Sequence, residues 1–137
     1  MICKNTASYH SCKQKCPYGK CRMQCTVNND CTQHCHQGKC KSMTCDSKYC
    51  IQIYHGSDSN MECNAERCQQ ICNGRSCAMK CKRSANTCQQ ICKGGACALN
   101  CYGRKCYRSC NGSGCITRDR PGITRLLPVS LARNRIY

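Results

Sequence analysis

The sequence predicts a small disulfide-rich repeat protein, a β-solenoid-like rod of about six coils of 18–20 residues with short strands. Three observations predict it. The 137 residues hold 22 Cys but neither Trp nor Phe. Blocks bounded by cysteine recur in tandem. Within each block the residue types alternate with the two-residue period of an extended strand.

Seven Tyr supply every large aromatic ring, 5% of the chain, which is too little for a conventional apolar core. Cysteine at this density marks either a disulfide scaffold or a metal-thiolate protein. Disulfides persist in oxidising compartments, so the first reading places the chain in the secretory pathway or outside the cell. No segment is long and apolar enough to span a bilayer. Met1-Ile2-Cys3-Lys4-Asn5 enters the cysteine pattern without an apolar stretch of signal-peptide length, so a secreted chain is expected here as a mature form or a fragment. The formal charge of +16 implies salt-dependent, unselective attraction to polyanions such as anionic lipid, sulfated glycan and nucleic acid.

The units begin at Cys12, Cys31, Cys50, Cys68, Cys88 and Cys106, a tandem array. Cys12-Lys13-Gln14-Lys15-Cys16, a turn with Gly19, and Cys21-Arg22-Met23-Gln24-Cys25 set the pattern. Cys88-Gln89-Gln90-Ile91-Cys92, Gly94 and Gly95, and Cys97-Ala98-Leu99-Asn100-Cys101 repeat it. Gln14, Gln33, Gln52, Gln70 and Gln90 share one slot; Met23, Met43, Met61, Met79 and Leu99 share another. As strands, the five-residue blocks turn Cys, Gln or Met, and Cys inward. They leave residues such as Lys13, Lys15, Gln69, Lys80, Asn100 and Ser109 to solvent. Stacking at about 4.8 Å then lines the Gln side chains into a hydrogen-bonded ladder on one wall and the Met side chains into an apolar file on the other. The alternative is a set of short helical turns stapled by disulfides, because Cys-x-x-x-Cys followed by Gly also suits one capped turn. Blocks of five residues are too short for stable helices, which favours strands.

The third unit carries Tyr54 and Ser59 where the others have cysteine. A joint loss suggests that these positions are partners, which pairs Cys16–Cys21, Cys35–Cys40, Cys72–Cys77, Cys92–Cys97 and Cys110–Cys115. Joining each unit's last cysteine to the next unit's first then pairs Cys25–Cys31, Cys45–Cys50, Cys63–Cys68, Cys81–Cys88 and Cys101–Cys106, and leaves Cys3 for Cys12. Pairing the first and last cysteines of each unit instead strands Cys3 and Cys106 at opposite ends, a less economical scheme that spacing alone does not eliminate.

Residues 1–11 are expected to form an N-terminal cap, 12–115 the solenoid and 116–137 a basic, disordered tail with five Arg, Pro121 and Pro128. Asn111-Gly112-Ser113 is an N-glycosylation acceptor sequence in a turn. His34-Cys35-His36, near Cys31 and Cys40, has metal-ligand chemistry, but His34 and His36 occupy variable slots and no metal or other cofactor is expected. The six acidic residues, Asp30, Asp46, Asp58, Glu62, Glu66 and Asp119, do not recur in register. There is no Gly-rich phosphate loop and no odd cysteine to act as a nucleophile, so no enzyme activity is expected.

The Cys-x-Gln-x-Cys and Gly-Cys elements between Cys12 and Cys115 resemble the tandem cysteine-rich repeats of secreted invertebrate surface and matrix proteins. The resemblance implies location and architecture more than activity. The expected function is that of a non-enzymatic extracellular structural or adhesive module. Its basic surface would bind anionic matrix, glycan or cell-surface partners non-specifically, without specific nucleic-acid recognition. One alternative is a cationic host-defence or toxin-like chain, although no apolar membrane face is evident. Another is an intracellular metal-thiolate protein, although Cys-x-Cys and Cys-x-x-Cys do not occur. An ice-binding solenoid is disfavoured because the seven Thr share no slot.

Overall fold

The computed structural model describes residues 2–4, 11–18, 20–36, 40–82 and 85–119, with the side chains of residues 2–4 and 119 left aside. Thirteen strands and no helix occur among them, so the helical-turn alternative does not hold. The odd-numbered strands are β1 (Ile2–Lys4), β3 (Arg22–Thr26), β5 (Ser42–Asp46), β7 (Asn60–Asn64), β9 (Ala78–Cys81), β11 (Ala98–Cys101) and β13 (Ile116–Asp119). They pair in that order as a seven-stranded wall. The even-numbered strands are β2 (Ser11–Cys16), β4 (Asp30–Cys35), β6 (Tyr49–Tyr54), β8 (Arg67–Cys72), β10 (Thr87–Cys92) and β12 (Lys105–Cys110), and they form the six-stranded wall. The chain is a disulfide-rich β-solenoid.

Every pairing is parallel, and each residue meets its repeat equivalent one coil away. Gln33 is opposite Gln14 and Gln52, and Met43 is opposite Met23 and Met61. Strands of four to six residues are marginal in isolation. Here the coil spacing brings identical side chains into register, and alternation sends the same ones inward each time, as the burial of every second residue in β4 and β8 shows.

The interior has two unlike files. Met23, Met43, Met61, Met79 and Leu99 are fully buried against the disulfides of one edge, with Tyr54 among them. Parallel to them runs the glutamine ladder. Nε2 of Gln33, Gln52, Gln70 and Gln90 donates to Oε1 of the glutamine one coil before it, at 2.8–3.0 Å. The same amides cross the interior to donate to main-chain carbonyls of the opposite wall, Gln33 to Thr44 at 2.9 Å and Gln70 to Lys80 at 3.1 Å. A buried amide is tolerable only when its polar atoms are paired. The ladder meets that condition from Gln14 to Gln70 and ties the two walls together.

Among the described residues, ten disulfides flank these files: Cys16–Cys21, Cys25–Cys31, Cys35–Cys40, Cys45–Cys50, Cys63–Cys68, Cys72–Cys77, Cys81–Cys88, Cys92–Cys97, Cys101–Cys106 and Cys110–Cys115. Their Cα atoms lie 6.1–6.4 Å apart, within the span a disulfide bridges. One half of the set closes the turn within a coil and the other half closes the step to the next coil. Cys12 is disulfide-bonded, while the expected partner, Cys3, has its side chain outside the described residues.

Two expectations need correction. Ile116–Asp119 is a strand paired with β11, so the ordered stack runs four residues into the segment assigned to the tail; residues 120–137 lie outside the described ones, as does most of the 1–11 cap. Ser109, expected in solvent, is buried, a short side chain in register with Ile91. The sixth rung of the glutamine file is Arg108, opposite Gln90. Its Nη2 keeps the cross-wall bond, to the Arg118 carbonyl at 3.1 Å, but Gln90 Oε1 is left without a hydrogen-bond partner.

Candidate functional site

The outward positions of the six-stranded wall form three columns. One runs Asp30, Tyr49, Arg67, Thr87, Lys105, and the next Thr32, Ile51, Gln69, Gln89, Tyr107. Where the side chains of coils three to five differ in length, the wall is indented. The result is a groove of about 470 Å³ lined by Tyr49, Ile51, Arg67, Gln69, Thr87 and Gln89. Tyr49 is its aromatic element, with the Lys48 ammonium 5.6 Å and the Arg67 guanidinium 5.7 Å from the ring centroid. Cations at this range are held by the ring's negative face. Gln89 is nearly buried, yet its Nε2 has no hydrogen-bond partner in the protein.

Charge is divided unequally between the walls. The outer face of the seven-stranded wall presents Asp46 and Glu62 against Arg22, Lys80 and Arg118 among its described strand residues, and Lys82 is ion-paired with Glu62. That bond raises the Lys82 pKa. The six-stranded wall presents one acid, Asp30, against Lys13, Lys15, Arg67 and Lys105 among its described strand residues.

Beside the groove, at the end of β4, three imidazoles converge. His34 and His36 are two residues apart and share a side of the chain, with ring centroids 3.8 Å apart. His55 follows Tyr54, the register partner of Cys35, so it stands over His36 one coil later. Its Nε2 lies 2.7 Å from Nε2 of His34, and Asn73, one coil further on, meets its Nδ1 at 2.8 Å. Partial burial holds the His34 pKa below the ordinary imidazole value, helped by the positive charge of His36, His55 and Lys15.

The sequence reading grouped His34 and His36 with Cys31 and Cys40. Those sulfurs are committed to Cys25 and Cys35, so thiolate ligation is closed there. His55 was missed; its signal was its place in the slot of His36, 19 residues on. Asn111 lies on an exposed turn after β12, its main-chain N–H donating to the Cys92 carbonyl at 2.9 Å. Among the described residues the acidic side chains form no group with metal-ligand spacing, and the Asp119 side chain lies outside the described residues. No helix among the described residues is long and apolar enough to cross a membrane. The described cysteines are disulfide-bonded, which is the chemistry of an oxidising environment.

No family model matches the chain, and neither a curated protein nor a solved structure matches it.

Proposed function

We propose that this chain is a non-enzymatic extracellular adhesive module, a stiff disulfide-braced rod whose six-stranded wall binds acidic, preferably sulfated, glycans. The observation that carries the reading is the groove in which Tyr49 and Arg67 stand beside Gln69, Thr87 and Gln89, with the Lys48 ammonium 5.6 Å from the Tyr49 ring centroid. An aromatic face stacks on a sugar ring, guanidinium and ammonium groups meet sulfate or carboxylate, and amides and hydroxyls answer sugar hydroxyls. The formal charge of +16 supports capture of a polyanion, and oxidised cysteines support secretion. The metal-thiolate alternative requires free thiols, and none occurs among the described cysteines.

Heparin affinity of the oxidised full-length chain tests the proposal, comparing two double variants that each remove two cations. Lys48→Ala with Arg67→Ala is expected to weaken binding roughly ten-fold, against at most about two-fold for Arg22→Ala with Lys80→Ala on the opposite wall. Equal losses would reduce the interaction to net charge and overturn the groove as its site.

A further inference from the structure

We infer that His34, His36 and His55 form a surface site for one divalent transition-metal ion of the zinc type. All three are at least partly exposed, and a nitrogen from each lies within 4.8 Å of the others. Three imidazoles with an open fourth position form a known zinc donor set. Two nitrogens bound to one tetrahedral zinc stand about 3.3 Å apart, from Zn–N distances of about 2.05 Å. The 2.7 Å between His34 and His55 therefore has to open by roughly half an ångström, a small χ rotation for rings at the surface.

The register of the solenoid makes the trio rather than chance crowding on a loop. His34 and His36 follow the two-residue period to one side, and the parallel pairing of β4 with β6 sets His55 above His36. Asn73 extends the column by one more coil and contacts the ring nitrogen that faces away from His34. Asn73 Oδ1 has no hydrogen-bond partner, so turning the amide over breaks no bond made by that oxygen. In that orientation Oδ1 accepts from Nδ1–H of His55 and leaves the Nε2 lone pair for a metal, the usual support of a ligating histidine. The disulfides remove the competing sulfur ligands, so the site binds through nitrogen alone.

Calorimetric titration of the oxidised full-length chain with zinc chloride alone tests the site, read beside the imidazole NMR signals of the four histidines. One ion per chain is expected, shifting the signals of His34, His36 and His55 and leaving that of His10 in place. His55→Ala and His36→Ala are expected to weaken uptake at least about 100-fold and Asn73→Ala about ten-fold, the latter as for loss of a supporting hydrogen bond. Unchanged strand circular dichroism in these surface variants establishes that they fold. Absence of uptake by the native chain, uptake that survives His55→Ala, or shifts confined to His10 would each overturn the assignment. The heparin comparison uses none of these residues, so either result stands without the other.

Discussion

Gln52 has no exposed surface and sits mid-ladder, donating to Gln33 Oε1 at 2.9 Å and to the carbonyls of Met43 and Glu62 at 2.9 and 3.0 Å. Leucine has nearly the same volume but none of these donors. Gln52→Leu would leave Gln33 Oε1 without a donor and take one acceptor from Gln70 Nε2, each buried loss costing about 1–3 kcal/mol. A loss of at least about 3 kcal/mol is expected in denaturant titration of the oxidised protein, and clearly less for Gln14→Leu at the end of the ladder. Gly74 is a second fixed point: a Cβ there would collide with the Gly56 carbonyl of the preceding coil, and one on Gly94 with that of Gly74. Gly74→Ala is expected to cost about 2–3 kcal/mol by forcing the stacked turns apart, read as a lowered melting temperature. Just after these glycines the chain takes positive φ at Ser76 and Ala96, 61° and 58°, which lets the following cysteine turn back toward its partner.

At the scale of the coil, the third one is the experiment nature has already begun. Tyr54 takes the register position of Cys35 and Cys72. It is fully buried in the methionine file and its hydroxyl donates to the Ser57 carbonyl at 2.8 Å, so an aromatic ring fills the space of a disulfide. Burial pushes that hydroxyl above its ordinary pKa. Ser59 is buried with no partner for its Oγ. The double variant Tyr54→Cys with Ser59→Cys is expected to form one further bond, lowering the non-reduced mass by about 2 Da relative to its dithiol form; a pair of free thiols would show that the coil has departed from its neighbours. Coils were legible in the sequence because cysteine, Gln and Met recur with the strand period and nothing else fits five-residue blocks. The grooved face was not, because Tyr49, Arg67 and Thr87 share a slot yet share no chemistry. The histidine trio was hidden for a related reason: an alignment anchored on cysteine treats positions 34, 36 and 55 as variable, and only parallel pairing puts 36 beneath 55. Arg108 breaks the glutamine pattern and gave no sequence sign that it would take the ladder's place.

For the whole molecule, stability rests on sulfur. A disulfide closing a loop of five to seven residues contributes about 2 kcal/mol. Ten of them together exceed the roughly 5–15 kcal/mol net stability of an ordinary domain. Reduction without denaturant is therefore expected to abolish the strand signal in circular dichroism, since the methionine file and one glutamine ladder are too little core to fold the free chain. The decisive measurement is the intact mass of the natively purified protein before and after reduction. The native mass is expected to lie about 22 Da below the all-thiol value, one hydrogen for each of the 22 cysteines, with no alkylation until reductant is added. Free thiols that alkylate in the folded protein while its strand signal persists would contradict it.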